Sequence, residues 1–183
     1  DGIDRPIDRR VRLRRAVTLP DTVGPSMELL ICGLNPSPYS AEVGVGFGRP
    51  GNRFWPAARA AGLVTAATND PFTVLRHDGI GMTDLVKRVT RRADELSRAE
   101  YRHGLERVSR LVSWLQPRAV CFVGLAGWRA AVDRKATAGR QDRPLGDRPV
   151  YLMPSTSGLN ASASAEGLAE HLRAAGRLAV RAG

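Results

Sequence analysis

An asparagine lies just beyond the most hydrophobic stretch of the chain. The stretch ELLIC (28–32) leads within three residues to Asn35, and Pro36 and Pro38 stiffen the chain that follows. An amide is no strong base, but its carbonyl oxygen can hold and orient a water molecule. That arrangement suits a reaction whose leaving group departs largely by itself, such as the cleavage of a nucleobase from its sugar. The alternative is that Asn35 only stabilises a turn, as Asn-Pro pairs often do.

Other familiar catalytic patterns are missing from the sequence. It contains neither a G-x-S-x-G motif nor a phosphate-binding G-x-x-x-x-G-K-S/T motif. The glycine-rich segment GVGFGRPG (44–51) lies well after the preceding strand, which argues against dinucleotide binding. His77, His103 and His171 do not have the spacing of metal ligands. We therefore predict no metal and no other cofactor.

The two cysteines, Cys32 and Cys121, each lie inside an apolar run. Buried free thiols explain this pattern better than a disulfide or a metal site. Two cysteines also cannot supply the four thiolates that an iron–sulfur cluster usually needs.

The charge of the chain favours a polyanionic partner. The net charge is +10 and the isoelectric point is near 11.0, which is typical of proteins that bind nucleic acid. Almost all of this charge is arginine, and an Ala- and Arg-rich composition can also reflect the base composition of a gene. Residues 1–24 form a basic segment interrupted by Pro6 and Pro20, which we interpret as a loosely held arm. It is either a solvated tail or a contact to DNA.

Length and hydropathy indicate one globular domain over residues 25–183. The sequence has no internal repeat and no apolar run near the ~20 residues that a membrane span requires. The basic N-terminal segment lacks the apolar core of a secretion signal. We therefore expect a cytoplasmic protein without membrane contact, nucleoid-associated if the source is bacterial.

Strand-like and helix-like segments alternate after Glu28. Predicted strands are 28–32, 119–124 and 149–154; predicted helices are about 53–62, 97–116, 126–135 and 163–181; 137–148 and 155–162 are predicted loops, and 72–86 is ambiguous. Continuous apolar strands separated by helices indicate an α/β fold with a parallel sheet covered on both faces. Ligands bind beyond the carboxyl ends of such strands, which places Asn35, Gly124 and Ser155 on one rim.

Three segments in this order resemble the mismatch-specific uracil/thymine-DNA glycosylase family of the uracil-DNA glycosylase superfamily. They are GLNPS (33–37), GNRFW (51–55) and MPSTSGLNAS (153–162), and the segment 81–104 between them is also similar. The resemblance covers roughly residues 20 to 180. It implies a three-layer α/β/α sandwich with a short central parallel sheet. It also implies a monofunctional enzyme that flips a base out of DNA and hydrolyses its N-glycosidic bond without a metal.

The resemblance assigns roles to residues near the first two motifs. Asn35 matches the asparagine that positions the attacking water, and Phe47 matches the aromatic residue that stacks on the flipped base. Backbone amides around Leu34 and Phe47 are then expected to bind the pyrimidine and favour its departure as an anion. Asn52 belongs to the base pocket and is expected mainly to cap the following helix and brace the pocket.

The third motif matches a loop that enters the gap left by the flipped nucleotide. The predicted insertion loop consists of Ser155, Thr156, Ser157, Gly158, Leu159 and Asn160. Leu159 is the candidate wedge, since an inserted apolar side chain can offset the few kcal/mol that unstacking requires. The alternative is an ordinary loop that leads into a helix.

The sequence departs from the family pattern at three places in the pocket and loop. Ser37 stands where the family often has glycine, which narrows or hydrates that corner of the pocket. Leu159 or Asn160 stands where some members have arginine, so the preference for an opposite guanine is open. Ser40 falls where the family makes room for a thymine methyl group, and a serine there favours uracil over thymine.

The leading hypothesis is a monomeric DNA repair glycosylase that removes uracil, from G·U mismatches, and leaves an abasic site. Its expected partner is double-stranded DNA that contains uracil or mismatches. Two alternatives remain at this point. One is a relative acting on hypoxanthine, an etheno adduct or thymine in G·T pairs, and the other is a non-catalytic module that binds damaged DNA.

Overall fold

The computed structural model of the protein describes residues 17–181. These residues form five strands and six α-helices. In chain order they are β1 (Leu29–Gly33), α1 (Pro38–Val43), α2 (Phe54–Ala60), α3 (Pro71–Asp78), β2 (Ile80–Asp84), α4 (Arg98–Leu115), β3 (Ala119–Val123), α5 (Ala126–Ala131), β4 (Gly139–Leu145), β5 (Arg148–Met153) and α6 (Ala165–Arg181). A short 3-10 turn at Ala93–Glu95 precedes α4.

The strands form one sheet in the order β2-β1-β3-β5-β4. The first four strands run parallel, and β1 lies in the middle of the parallel part, where Leu29 pairs with Ile80 of β2 and Ala119 of β3. Every residue of β1, β2 and β3 is buried, as expected for parallel strands covered on both faces. The prediction of an α/β fold with helices on both sides of a mainly parallel sheet is confirmed.

Alternate residues of β1 enter separate hydrophobic layers. Leu29 and Ile31 pack with α2 and α6 on one face of the sheet. Leu30 and Cys32 pack with α4 and α5 on the other face. Both cysteines are free and buried, in agreement with the prediction, and Cys121 belongs to the layer opposite that of Cys32.

Strand β4 corrects the prediction of a loop over residues 137–148. It runs antiparallel to β5 at the edge of the sheet, and its register is interrupted between Gln141 and Leu145. Gly146 and Asp147 join the two strands, and both have left-handed φ values, 53° and 63°, as in a tight hairpin turn. The strand escaped notice because most of its side chains are polar and exposed, so it lacks the alternation that one buried face produces.

The helices follow local capping signals more closely than they follow the predicted boundaries. The long helix α4 is confirmed, with Ser97 as its N-cap and Glu100 completing a capping box. The helix predicted to begin near Ala126 ends at Ala131 rather than at Lys135. The ambiguous stretch 72–86 divides into α3 and β2 at Gly79, whose φ of 66° ends the helix.

Helix α1 is absent from the sequence prediction, which treated residues after Asn35 as a stiff loop. Ser37 caps α1 by accepting a hydrogen bond from the Ser40 amide at 3.1 Å, and Pro38 occupies the first turn, where its missing N–H has no consequence. The two prolines around Ser37 therefore start a helix as well as stiffening the chain.

The last residues of the predicted basic arm are packed against the sheet. Thr22 forms an antiparallel bridge to Met82, and Leu19 is buried. Residues 1–16 of the predicted arm lie outside the described residues, and the division into an arm and one domain stays a prediction. None of the helices described between residues 17 and 181 has the length and apolarity needed to cross a membrane.

Candidate active site

A cleft of about 180 Å³ opens at the carboxyl ends of the parallel strands. This is where ligands bind in open α/β sheets. The cleft brings together all three sequence motifs and residues from the loop after β2. Its lining includes Leu34, Asn35, Ser37, Ser40, Phe47, Arg49, Asn52, Asp84, Thr90, Arg91, Arg92, Ser155, Thr156 and Ser157.

The side chain of Asn35 is held at its nitrogen end. Nδ2 donates to Thr90 Oγ1 at 2.8 Å, to the Arg88 carbonyl at 3.1 Å and more weakly to the Pro36 carbonyl at 3.3 Å. The Thr90 hydroxyl donates its own proton to the Arg92 carbonyl at 2.7 Å, so its oxygen is an acceptor toward Asn35. Since all three neighbours accept hydrogen bonds, the amide nitrogen must face them.

The carbonyl oxygen of Asn35 is consequently the end that remains for another molecule. Among residues 17–181, no protein group donates a hydrogen bond to Oδ1. The helix that follows takes its cap from Ser37. These contacts favour an Asn35 that presents an acceptor to the cleft over an Asn35 that serves a turn.

Phe47 is held in a conformation that few non-glycine residues adopt. Its φ is 58°, in the left-handed region, and such strain persists only where the surroundings enforce it. The ring stacks on Phe54 of α2 with centroids 4.3 Å apart, and Trp55 Nε1 donates to the Gly46 carbonyl at 2.9 Å. The first turn of α2 thus fixes Phe47 as part of the cleft wall. In the sequence, Phe54 and Trp55 belonged to the GNRFW motif and to a predicted helix, but no contact with Phe47 was predicted for them.

Asp84 is a site residue that the sequence analysis missed. It ends β2 beside Gly33 of β1, and it is the one acidic residue among the described residues that line the cleft. A methyl group added to Gly33 would lie 2.5 Å from Asp84 Oδ1 and 3.3 Å from Phe47 Cζ, so both side chains converge above this glycine. The signal that would have found Asp84 is the one that found Asn35, a polar residue at the carboxyl end of a buried strand.

The Asp84 carboxyl group has an unusual protonation equilibrium. Burial raises its pKa to about 6, opposed by the cations Lys87 and Arg107 and assisted by the carboxylate of Asp21. Asp21 binds both cations, with Lys87 Nζ and Arg107 Nη1 each 2.7 Å from its oxygens. Burial alone would raise the pKa of Asp21 as well, but its hydrogen bonds from Lys87 and Thr83, together with the positive charges of Lys87 and Arg107, outweigh burial and lower it. Lys87 and Arg107 therefore form their ion pairs with Asp21, and they affect the Asp84 carboxyl group only through their charge.

The predicted pocket residues near the first motif lie around the same cleft. Leu34 and Phe47 line it, and their backbone amides donate to no acceptor within the described part of the chain. Ser40 is buried, and its hydroxyl accepts a hydrogen bond from Ser37 at 3.1 Å. Asn52 Oδ1 accepts from the Phe54 amide at 2.9 Å, as expected for a capping residue, although the cap position itself is Arg53.

The predicted insertion loop lies on the far side of the cleft and is tied to the second motif. Its tip residue Leu159 is 85% exposed, as a wedge must be. Thr156 is buried and accepts a hydrogen bond from the Arg53 amide at 2.9 Å. The amide group of Asn160 is used within the loop, where Nδ2 donates to the Ser155 carbonyl at 2.8 Å. The loop thus presents Leu159 rather than Asn160.

Four arginines near the cleft differ in their pairing. Arg88 is bound to Glu100 and Arg92 to Asp94. Arg49 and Arg91 line the cleft and are exposed, and no described acidic side chain pairs with either of them. Arg49 and Arg91 are therefore the cations most available for phosphate groups.

The cleft can thus hold a water, provide a stacking surface and accept a proton near neutral pH. No cluster of His, Cys, Asp and Glu suited to a metal ion is present between residues 17 and 181. Comparison with protein families gives one result that bears on these groups. A family model described as the uracil DNA glycosylase superfamily matches residues 20–178, which include every residue named in the cleft.

Proposed function

The chain belongs to the uracil DNA glycosylase superfamily, and from this membership we propose that it is a monofunctional glycosylase that removes uracil from G·U mismatches in double-stranded DNA. Superfamily membership supports a DNA glycosylase activity, and the choice of uracil and of the mismatch is our proposal. The product is an abasic site. We also propose that the protein acts as a monomer, in the cytoplasm or on the nucleoid of a bacterial cell.

The observation that carries the proposal is the anchoring of Asn35. Three acceptors hold its nitrogen, which leaves its oxygen to orient a water toward the anomeric carbon. The pre-set orientation matters because a water that is already aligned needs no reorganisation when the glycosidic bond breaks.

The groups around Asn35 complete a reaction sequence. Arg49 and Arg91 bind phosphates, the nucleotide rotates out of the duplex, and its base stacks on Phe47. The amides of Leu34 and Phe47 donate hydrogen bonds to the base, which leaves with the electrons of the bond between C1′ and its nitrogen. The water held by Asn35 then bonds to C1′ of the oxocarbenium-like sugar.

Asp84 is the proton acceptor that we propose for the attacking water. The attacking water must lose a proton, and an amide does not accept one at neutral pH, whereas an ionised carboxylate does. Because the pKa of Asp84 is about 6, the group is ionised at pH 7 and basic enough to take that proton. Its negative charge also stabilises the positive charge that develops on the sugar.

The same pocket gives a reason for the proposed choice of base. The hydroxyls of Ser37 and Ser40 bond to each other at one corner of the cleft. A thymine methyl group directed at this corner would separate these hydroxyls or bury them without a partner. Uracil has a hydrogen at this position and fits more easily.

The test is release of bases from a panel of duplexes that carry uracil, thymine, hypoxanthine or an etheno adduct, with abasic sites revealed by alkaline cleavage. We expect the fastest release for uracil opposite guanine. Preferred release of another base would assign the protein to a different substrate within the superfamily. Binding to mismatched DNA without any abasic product in a single turnover would show a non-catalytic module.

The mechanism is tested with Asn35→Ala. We expect this variant to lose uracil release while binding duplex DNA nearly as well as the wild type, since Asn35 orients the water and holds no phosphate. Asn69→Ala is the matched control, because Asn69 is exposed and bonds to Arg59 outside the cleft. Equal release by Asn35→Ala and the control would refute the assignment of Asn35.

A further inference from the structure

The side chain of Arg53 joins two sequence motifs that are far apart in the chain. Arg53 belongs to GNRFW, and its guanidinium donates to three backbone carbonyls of the segment between β5 and α6. Nη2 is 2.6 Å from the Asn160 oxygen and 3.4 Å from the Ser157 oxygen, and Nη1 is 2.5 Å from the Ala163 oxygen. The contacts to Ser157 and Asn160 lie on either side of Leu159.

The backbone of the same motif forms a platform under the loop. The Arg53 amide donates to the Thr156 carbonyl at 2.9 Å. A methyl group added to Gly158 would lie only 2.8 Å from the Gly51 carbonyl oxygen, so the loop rests directly on residue 51. Both sides of the loop tip are therefore held by residues 51–53.

Within the loop, the Asn160 amide N–H donates to the Ser157 carbonyl at 2.9 Å and Asn160 Nδ2 donates to the Ser155 carbonyl at 2.8 Å, so the loop closes on itself but its attachment to the rest of the protein comes from residues 51–53. The Ser157 and Leu159 amides reach serine hydroxyls only at 3.3 Å, near the limit of a hydrogen bond. Arg53 makes shorter, charge-assisted contacts to the Asn160 and Ala163 carbonyls after Leu159, whereas its 3.4 Å contact to Ser157 is weak, and before Leu159 the loop is held mainly by the Arg53 amide on the Thr156 carbonyl at 2.9 Å. Without the Arg53 side chain, the carbonyls of Asn160 and Ala163 would have no hydrogen-bond donor among residues 17–181.

The arrangement of Arg53 is better suited to holding the loop in position than to stabilising the fold. Its described partners are backbone carbonyls, with no carboxylate among them, and its Nε is buried without a partner among the described residues. A partly buried cation without a counter-charge is a poor source of stability. The same guanidinium donates to three carbonyls of one short segment, and a neutral side-chain amide, with two N–H donors, could not replace all three hydrogen bonds.

We propose that Arg53 is a positioning residue for base flipping, which clamps the chain on both sides of Leu159 so that this side chain can enter the duplex without the loop yielding. The inference rests on the proposed glycosylase function, because it concerns how that function reaches its substrate. Entry into the base stack is opposed by an unstacking free energy of a few kcal/mol per step. If the loop shifted away from the DNA instead, Leu159 would not enter the base stack and the nucleotide would stay in the duplex.

The experiment separates flipping from chemistry. Flipping is followed by the fluorescence of 2-aminopurine next to 2′-fluoro-deoxyuridine, whose glycosidic bond resists cleavage, and chemistry is followed by single-turnover release of uracil. The variants are Arg53→Met, Arg53→Lys, Leu159→Ala and the double variant Arg53→Met/Leu159→Ala. Arg59→Met is the matched control, because Arg59 lies in the last turn of α2, the helix that Arg53 precedes as N-cap, and bonds to Asn69.

We expect Arg53→Met to lower the equilibrium constant for flipping, obtained from the 2-aminopurine fluorescence, by at least about tenfold, which corresponds to about 1.4 kcal/mol. The single-turnover rate of uracil release should fall by a similar factor. Arg53→Lys should recover part of the loss, because an ammonium group can still donate to some of the carbonyls. If Arg53 acts through Leu159, the double variant should be little worse than either single variant. Arg59→Met should behave as the wild type.

Three results would overturn the inference. They are wild-type fluorescence in Arg53→Met, losses that multiply in the double variant, and a wild-type protein that raises no fluorescence. If Arg53→Met does not fold, Gly158→Ala replaces it, since its methyl group would push the loop off Gly51. A wild type that raises fluorescence but releases no base would contradict the proposed function alone, and the fluorescence of the variants would still decide the role of Arg53.

Discussion

Phe47 stacks on Phe54 with ring centroids 4.3 Å apart and ring planes inclined by 22°. Phe54 is 1% exposed and belongs to the core beneath α2, whereas Phe47 lines the cleft. The hydrophobic core thus extends through this pair to the surface on which we propose that the base stacks. The left-handed φ of Phe47 is the strained conformation that this contact maintains.

Replacing Phe47 should weaken the processing of uracil. Phe47→Ala removes the surface for the flipped base, and the loss should be about 1–3 kcal/mol, the range for one base–aromatic stack. It is measured as kcat/KM on a G·U duplex. Phe72→Ala is the control, because Phe72 is exposed on α3 outside the cleft. An unchanged kcat/KM for Phe47→Ala would show that the flipped base does not stack on Phe47.

Removing the hydroxyl of Thr90 should slow the reaction without weakening DNA binding. Thr90→Val deletes the acceptor 2.8 Å from Asn35 Nδ2. The expected loss is about 0.5–1.5 kcal/mol in kcat, the net contribution of one hydrogen bond. Thr90→Ser keeps the hydroxyl and should retain most of the activity. If both variants were equally impaired, the hydroxyl would not be what orients Asn35.

The rate of uracil release should rise as the pH passes about 6, because Asp84 becomes ionised there and can accept the proton of the attacking water. Asp84→Asn should be slow at all pH values and should lack this inflection. The comparison is made from single-turnover rates between pH 5 and 8. An inflection near pH 6 that persists in Asp84→Asn would assign the titration to another group.

The same carboxyl group should make the stability of the protein depend on pH. Because burial raises the pKa of Asp84 from 3.8 to about 6, the folded state keeps a proton that the unfolded state releases between these values. This contribution to stability is complete below pH 3.8 and is lost as the pH rises through about 6. Asp84→Asn has no such loss. Its free energy of unfolding relative to the wild type should therefore increase over this range, by at most about 3 kcal/mol, and then level off.

Urea unfolding at a series of pH values measures this difference. A difference between variant and wild type that stays constant from pH 4 to 7 would show that Asp84 titrates normally.

DNA affinity should depend on salt through Arg49 and Arg91, which have no acidic partner between residues 17 and 181. Arg49→Met and Arg91→Met should each weaken binding and reduce the slope of log affinity against log salt by about one. Arg92 is adjacent to Arg91 but bound to Asp94, so Arg92→Met should change the slope less. The slopes are obtained from binding titrations on one duplex at several salt concentrations. Equal effects of Arg91→Met and Arg92→Met would contradict a role for pairing.

Local patterns in the sequence predicted most elements of the fold. The apolar runs of β1, β3 and β5 and the helical spacing of α4 depend on which side chains are buried, and burial leaves a period in the sequence. Strand β4 has no such period, because its side chains are mostly exposed, only Leu145 reaches the core, and the strand is joined to the sheet by backbone pairing with β5. Its hairpin turn at Gly146 and Asp147 was the one local signal available.

The sequence likewise predicted some residues of the candidate site and missed others. Asn35 and Ser155 could be placed at one edge of the sheet from the sequence, because residues after parallel buried strands meet at that edge, whereas the role of residues 155–160 as an insertion loop came from the family resemblance and stays a prediction. Asp84 follows the same rule but was missed, since the segment 72–86 could not be divided into helix and strand before the structure did so.

The sequence alone therefore determined an α/β protein with an asparagine at the carboxyl edge of its parallel strands, and three ordered motifs indicated the superfamily. The tertiary structure decided which end of the Asn35 amide faces the cleft, and that Arg53 holds the loop around Leu159. Those contacts join residues 55 and 107 positions apart. Side-chain hydrogen bonds of this kind leave no period in a sequence, because they depend on where the folded sheet brings two distant segments together.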